Sequence, residues 1–283
     1  MHCWMNGQYM QAEDLRISPF DHGFLYGLGF FETFRTYNGK VLFLEEHYKR
    51  LTAALTQYHI HMPYTEEAIR EVIEELTKQA DYKDGYFRLN VSAGIHDIGL
   101  QPTAYTEPTV IVFRKELQAT PRGQEKMAKW LMTPRNIPEQ EIRVKSHHYG
   151  NNVLGRFEVP SLATTEGFFV TPKGYVAEGV TSNIFWVEDD ILYTPSLQTG
   201  ILPGITRRWV LNIAQALGYR VREGLFRKEE LEKAQECFIT NSIQELVPIS
   251  KIDNYLLLGD EGPAYNRFHQ AYIEEIFKLS KER

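Results

Sequence analysis

The chain has 283 residues, 43% of them hydrophobic and 24% charged, the balance of a soluble globular protein with room for two ordinary domains. A formal charge of −6 argues against a nucleic-acid partner, and no apolar run is long enough to span a membrane. Two cysteines, Cys3 and Cys237, cannot build a disulfide framework, and the first residues lack the basic-then-apolar order of a secretory leader, so a cytoplasmic protein is expected.

Strands are expected at Phe30–Tyr37 and Lys40–Leu44, joined through Asn38-Gly39, a dipeptide that accepts the positive φ of a tight hairpin. An amphipathic helix follows near Leu44–Tyr58, with Leu44, His47, Leu51, Leu55 and Tyr58 on one face and Glu45 and Lys49 spaced for an exposed pair. A second helix, about Glu66–Gln79, starts after Pro63-Tyr64-Thr65 and turns Ile69, Val72, Ile73 and Leu76 inward. Tyr86–Ser92 and Thr109–Arg114 are rich in β-branched and aromatic residues and read as strands. Between Glu116 and Lys126 the pattern fades into a polar stretch marked by Pro121 and Gly123. Domains are therefore expected at 1–116 and 126–283, with 117–125 as the linker. Beyond it, strands are expected near Lys126–Met132, Gly167–Thr171, Asn183–Val187, Ile191–Thr194 and Glu236–Thr240. A helix over Ile205–Leu217 is entered through Pro203-Gly204 and closed at Gly218, and a last helix spans Ala264–Lys281. The fold class expected is α+β, two domains each with its own sheet.

The densest chemistry lies in Gly174–Arg208. If Val176–Gly179 alternates as a strand, Glu178 shares the core face with Val176, and a buried carboxylate requires a partner. Two readings stand: a turn-capping acid beside Gly179, or the partner of a protonated ring nitrogen. Pro203-Gly204-Ile205-Thr206 opens a helix whose first N–H groups suit a phosphate. Phosphate at one end and a basic aromatic nitrogen at the other describe pyridoxal 5′-phosphate, whose enzymes also need a lysine. Lys145 follows a strand-like stretch and precedes Ser146-His147-His148-Tyr149; it reads either as an edge-strand surface lysine or as a partly buried amine that attacks an aldehyde. Arg50 reads either as an exposed helix charge or as a bidentate phosphate ligand, and the turn Thr240-Asn241-Ser242 offers donors to the same anion. Arg88, mid-strand, is expected in a structural salt bridge, while Arg143 is equally open to a substrate carboxylate. Adjacent His147 and His148 diverge, and no second cluster at ligand spacing accompanies them, so no metal site is expected. The chain contains no G-x-S-x-G, no P-loop and no G-x-G-x-x-G opening a helix.

Taken together, Ser18–Gly23, Tyr26–Thr33, His47–Leu51, Lys145, Glu178-Gly179, Ser182–Phe185, Gly204–Arg207 and Thr240–Glu245 resemble the class IV aminotransferase family, the fold-type IV pyridoxal phosphate enzymes. The resemblance covers nearly the whole chain in order. It implies the two-domain fold of D-amino acid aminotransferases, each domain with a mixed sheet, the cofactor between them, and a homodimer whose partner chain helps close the site. Residue by residue, it implies that Lys145 joins the cofactor's aldehyde carbon and that Glu178 pairs with the pyridine nitrogen. Arg50, the N–H groups of Ile205 and Thr206, and Ser242 in its turn are implied for the phosphate, with Leu202 against the ring face. Within the family the likeness is closer to the aminodeoxychorismate lyases of the Gram-positive type, through Ser18–Arg35, Arg88–Ile95, Lys145–Asn152 and Thr194–Arg208. That branch implies 4-amino-4-deoxychorismate as the small-molecule substrate, with 4-aminobenzoate and pyruvate as products. An aminotransferase for D-alanine or branched-chain amino acids is the second expectation. Two departures from D-amino acid aminotransferases stand out: Ser92–His96 lacks their Arg and His in sequence, and Phe31 stands where they carry Tyr. The helix after Lys145 is expected to bend or stop at Pro160.

Overall fold

The computed structural model describes residues 2–100, 102–117 and 122–281, the side chain of Ser280 excepted. These form two compact units: the chain up to Gln118 with Lys145–His148 and the end from Ile276, and a second unit of Ala119–Val144 with Tyr149–Glu275.

The first unit is built on β1 (His2–Met5), β2 (Gln8–Gln11), α1 (His22–Tyr26), β3 (Gly29–Tyr37), β4 (Lys40–Val41), α2 (Leu44–Gln57), α3 (Glu66–Lys78), β5 (Gly85–Ser92) and β6 (Thr109–Glu116). Its strands run β2-β1-β6-β5-β3-β4, antiparallel at every pairing. The expected hairpin is there: Asn38 and Gly39, both at positive φ, return β3 into β4. Thr65 caps α3 by accepting from the Ala68 N–H, which explains why that helix starts where Pro63-Tyr64-Thr65 predicts. Period-2 alternation on β5 buries Phe87, Leu89 and Val91 on one face, and leaves Tyr86, Arg88 and Asn90 half-buried on the other. Leu51 and Leu55 of α2 and Ile69, Ile73 and Leu76 of α3 are also buried, as the helical spacing predicts. The two N-terminal strands and α1 were not expected; four-residue strands and a five-residue helix are too short to show a period.

The second unit contains β7 (Lys126–Trp130), α4 (Gly150–Phe157), β8 (Thr165–Val170), β9 (Val176–Gly179), β10 (Asn183–Glu188), β11 (Ile191–Pro195), α5 (Ile205–Ala214), β12 (Arg220–Gly224), α6 (Lys228–Leu231), β13 (Glu236–Asn241), β14 (Glu245–Ile252) and β15 (Tyr255–Leu256). The last helix, α7 (Pro263–Lys281), begins here. The strand order is β12-β11-β10-β13-β14-β7-β8-β9, with β15 paired to β14, so the sheet is mixed. Parallel pairs join β11 to β12 across α5, and β7 to both β8 and β14. One face buries Phe168, Ile184, Trp186, Ile239 and Ile249 in a common cluster; a second cluster gathers Leu131, Val159, Phe169, Ala177 and Ile201. β14 was not expected because Pro248 interrupts its pattern, yet β7 pairs with β14 only from Ile249 onward, so Pro248 withholds no donor from β7. α4 ends at Phe157, short of Pro160, as expected.

The division is not contiguous in sequence, unlike the single break expected at 117–125, of which 118–121 lie outside the described residues. Lys145, assigned by sequence to the second domain, clusters with the first. The cause is backbone pairing: the Phe31 N–H donates to the Lys145 carbonyl and the His147 N–H to the Gly29 carbonyl, both at 2.9 Å. These bonds frame an isolated antiparallel bridge between Phe30 and Ser146 and extend the edge of β3 that β4 occupies further along. The strand-like stretch around Lys145 is therefore a bridge of a few residues rather than a strand.

Candidate active site

In the first unit, β3 brings Phe31 opposite Asn90 and Thr33 opposite Arg88, so these four side chains share one face. The Lys145 Nζ lies 4.5 Å from the centroid of the Phe31 ring, and the Arg88 guanidinium stacks over the same ring at 3.7 Å. Arg88 also donates from Nε and Nη2 to the Asn90 Oδ1 (3.3 and 3.2 Å). A ring and an amide thus both engage its guanidinium. His147 Nε2 is 2.9 Å from that Asn90 oxygen, and because the oxygen already accepts from Arg88, Nε2 is the protonated nitrogen. Burial, reinforced by Arg88, pushes the His147 pKa down to about 4 against the opposing pull of Asp21, so the ring is neutral at physiological pH. Across β3, on the helix side, Arg50 and His47 of α2 both bind Glu32. Arg50 is thus an ion-paired arginine with 15% of its side chain exposed, rather than an open helix charge.

In the second unit, Glu178 is 4% exposed and has a partner that sequence reasoning missed. Both Nε and Nη2 of Arg135, itself buried, lie 2.8 Å from Glu178 Oε1. The Leu202 N–H donates to Oε2 at 2.9 Å. Each carboxylate oxygen carries two lone pairs, so Oε1 is filled by Arg135 while Oε2 keeps capacity for one more donor. Arg135 Nη1 in turn reaches Asn151 Oδ1 at 2.6 Å and Asn136 and Asn152 at 3.1 and 3.2 Å. Arg143 sits 3.9 Å from Glu178 Oε1, but donates to the carbonyls of Gly200 and Asn136. Burial, and then the neighbouring Arg135, bring its pKa down to about 10, still well above neutrality. Its observed partners are backbone carbonyls, which makes it a brace for the Gly200 loop. The sequence signalled the need for such a partner, since a buried carboxylate demands a cation, without marking which residue supplies it.

The start of α5 is shaped by Asn183 of β10. Its Nδ2 donates to the Leu202 carbonyl at 2.9 Å, and a Cβ on Gly204 would fall 2.0 Å from its Oδ1, so only glycine admits this approach. Gly204 serves as N-cap without a side-chain acceptor, and the first turn carries no acidic residue, leaving the N–H groups of Ile205 and Thr206 outside the intrahelical ladder. Thr240 of β13 pairs directly with Asn183 on the same sheet face, and its Oγ1 is buried with no hydrogen-bond partner. Beyond it, Asn241 Oδ1 accepts from the N–H groups of Ile243 and Gln244 (2.9 and 2.7 Å), fixing the turn that carries half-buried Ser242. Helix N–H donors, an orphaned hydroxyl and a hydroxyl-bearing turn make a donor set for an anion. Leu202 is half-buried, its backbone clasped between Glu178 and Asn183. Among the described residues no group of His, Cys, Asp and Glu could hold a metal ion, and no helix is long and apolar enough to cross a membrane.

Comparison with known proteins gives these groups a context. Over 282 residues the chain is 41% identical to the aminodeoxychorismate lyase of Bacillus subtilis (strain 168), covering 99% of this chain and 96% of that protein. It is 27% identical to the D-alanine aminotransferase of Listeria monocytogenes serotype 1/2a (strain 10403S), covering 100% and 98%. The T.th. branched-chain amino acid aminotransferase, solved in complex with N-(5′-phosphopyridoxyl)-L-glutamate, superposes with a TM-score of 0.86 at 28% identity, over 97% of this chain and 93% of that one. The family profile for class IV amino-transferases matches residues 29–252, from the start of β3 to the end of β14. The chain belongs to the class IV aminotransferase family.

Proposed function

We propose that this protein is a 4-amino-4-deoxychorismate lyase that releases pyruvate and leaves 4-aminobenzoate. Pyridoxal 5′-phosphate is the cofactor, as in the family. When bound, it supplies an aldehyde that takes up an amine and a protonated ring that accepts electron density as a C–H bond breaks. The residues present fit it: Glu178 Oε2 keeps one acceptor position for a ring N–H, and the α5 N–H groups with the unpartnered Thr240 hydroxyl suit its phosphate. In this reading Lys145 binds the aldehyde carbon, while Arg50, Ile205, Thr206 and Ser242 hold the phosphate. Leu202 lies against the ring face.

The observation that carries the reading is the pairing of Lys145 and Arg88 on the Phe31 ring. A lysine acts as a base only as the neutral amine. Lys145 Nζ takes the proton from C4 of the substrate. The C3–O bond breaks, the electron pair of the C–H bond completes the aromatic ring, and the departing enolpyruvate takes up a proton at its methylene carbon. Arg88, steadied by Asn90, offers its guanidinium to a substrate carboxylate. Phe31 itself brings no proton donor or acceptor to the reaction. The identity to the Bacillus subtilis lyase supports the same assignment. A homodimer in the cytoplasm belongs to this reading, supported by the family resemblance and by two buried free cysteines.

The likeness to D-alanine and branched-chain aminotransferases favours a second reading, in which an amino group moves to a 2-oxo acid. Purified protein with 4-amino-4-deoxychorismate should give 4-aminobenzoate and pyruvate in equal amounts without any 2-oxo acid, and Lys145→Ala should abolish the turnover. Glutamate formed from D-alanine and 2-oxoglutarate, with no aromatic product from the chorismate derivative, overturns the lyase.

A further inference from the structure

Glu166 of β8 is wholly buried and takes no part in the reaction just described. Lys126 acts on it through space, yet places its own amine on the Leu162 carbonyl at 2.5 Å and on Gln244 Oε1 at 3.1 Å. The carboxyl of Glu166 goes to one turn instead. Oε1 accepts from the N–H groups of Gly167 and Val180 (3.1 and 3.0 Å), and Oε2 shares a hydrogen bond with the Ser182 hydroxyl at 3.1 Å. Burial raises the Glu166 pKa, and Lys126 with these bonds offsets that only in part. With Oε1 filled by two N–H donors, the proton of the neutral acid belongs on Oε2, facing Ser182.

Val180 and Ser182 lie in the turn between β9 and β10, which the Gly179 N–H closes onto the Ser182 carbonyl at 2.8 Å. Glu178 is the residue before this turn and Asn183, which shapes the start of α5, is the residue after it. Val180 is held on both sides. Its N–H is shared between Glu166 and the Gly167 carbonyl at 3.0 Å, and its carbonyl accepts from Asn152 Nδ2 at 2.6 Å. Asn152 accepts in turn from Arg135, the partner of Glu178. The turn has no room to shift: a Cβ on Gly179 would fall 2.1 Å from Ser182 Oγ and 3.1 Å from Glu166 Cδ. We propose that Glu166 is a positioning residue that, by clamping this turn, aims the Glu178 carboxylate at the ring nitrogen of the cofactor. The inference rests on the reading of Glu178 as the partner of that nitrogen. Glu166 contributes bonds of the right length and not charge, and two substitutions separate these. Glutamine keeps an acceptor for Val180 and a donor for Ser182; methionine, of similar length, offers neither. If charge governed, both variants would suffer alike.

The test is a titration of the full-length protein, freed of cofactor, with pyridoxal 5′-phosphate and separately with its deaza analogue, whose ring carries a C–H in place of the nitrogen. Glu166→Met should cut the preference for pyridoxal 5′-phosphate over the analogue about tenfold, and Ser182→Ala, which removes only the hydroxyl, about threefold. Glu166→Gln should keep the wild-type preference. Equal losses for both ligands in Glu166→Met would make Glu166 a structural support only and overturn the proposal, as would a loss of preference in Glu166→Gln as large as in Glu166→Met. Glu178→Gln probes the reading beneath and should cut the preference at least as deeply as Glu166→Met; a preference that survives it overturns the pairing with the ring nitrogen, and the proposal with it. A second readout covers the case in which Glu166→Met does not fold. In protein loaded with ring-nitrogen-labelled pyridoxal 5′-phosphate, the nitrogen signal should show its proton lost at lower pH in Ser182→Ala than in the wild type. Identical titrations overturn the proposal.

Discussion

At the scale of single residues, Glu178 shows how a buried charge is satisfied twice. Arg135 compensates it in the fold, and one lone pair of Oε2 stays available for chemistry. Glu178→Gln should therefore cost about 3 kcal/mol of unfolding free energy, because it strands a buried guanidinium, and should slow turnover at least tenfold. Adding Arg135→Met should return part of the stability in chemical denaturation and none of the activity. A double variant that recovers turnover would show that Glu178 acts only as a structural partner. The need for a counter-charge was legible in the sequence, since Glu178 alternates with Val176 onto a core face. Its identity was not, because Arg135 lies in an irregular stretch after β7 where no periodicity marks which side chains turn inward. Arg88 shows what a strand face adds to such a reading: the cross-strand Phe31 ring and Asn90, two residues along the same strand, both engage its guanidinium.

At the scale of elements, the long amphipathic helices and the strands of alternating pattern were readable because each buries one face of a regular repeat. What escaped was either too short to repeat, as β1, β2 and α1 are, or interrupted, as β14 is by Pro248. The start of α5 was legible through Pro203-Gly204, but its reason is tertiary: Asn183 reaches across from β10 and occupies the space of a Gly204 side chain. Gly204→Ala should push that amide away from the Leu202 carbonyl and destabilise the protein by about 1–3 kcal/mol. Affinity for pyridoxal 5′-phosphate should fall with it, as read by titration. An alanine variant of unchanged stability would mean that Asn183 yields freely and does not set the helix start.

At the scale of the whole molecule, several groups make stability fall in acid. His147 has its pKa held near 4 against 6.5 for a free histidine, so between those values the unfolded chain binds the extra proton and the native state loses ground as pH drops. Glu32, held at about 2 against 4.5, continues the loss below pH 4.5. His47, lowered by burial, acts in the sense of His147, whereas Glu166, raised by burial despite Lys126 and its bonds from Gly167, Val180 and Ser182, opposes both by favouring its neutral form. Melting temperature should therefore decline steadily from pH 6.5 to pH 4. His147→Gln, which keeps a donor for Asn90 and cannot titrate, should flatten that limb; an unchanged slope would assign the loss elsewhere.

The run Lys145–His148 leaves the chain around it and joins β3, and that topology has an evolutionary consequence. Recombination at a single crossover near residue 118 would hand the progeny Lys145 from one parent and the strand that anchors its backbone from the other. The backbone bond itself survives such an exchange, since every non-proline residue offers the same N–H and C=O; what the two parents must share is the side-chain fit where Lys145 and His147 meet Phe31 and Asn90.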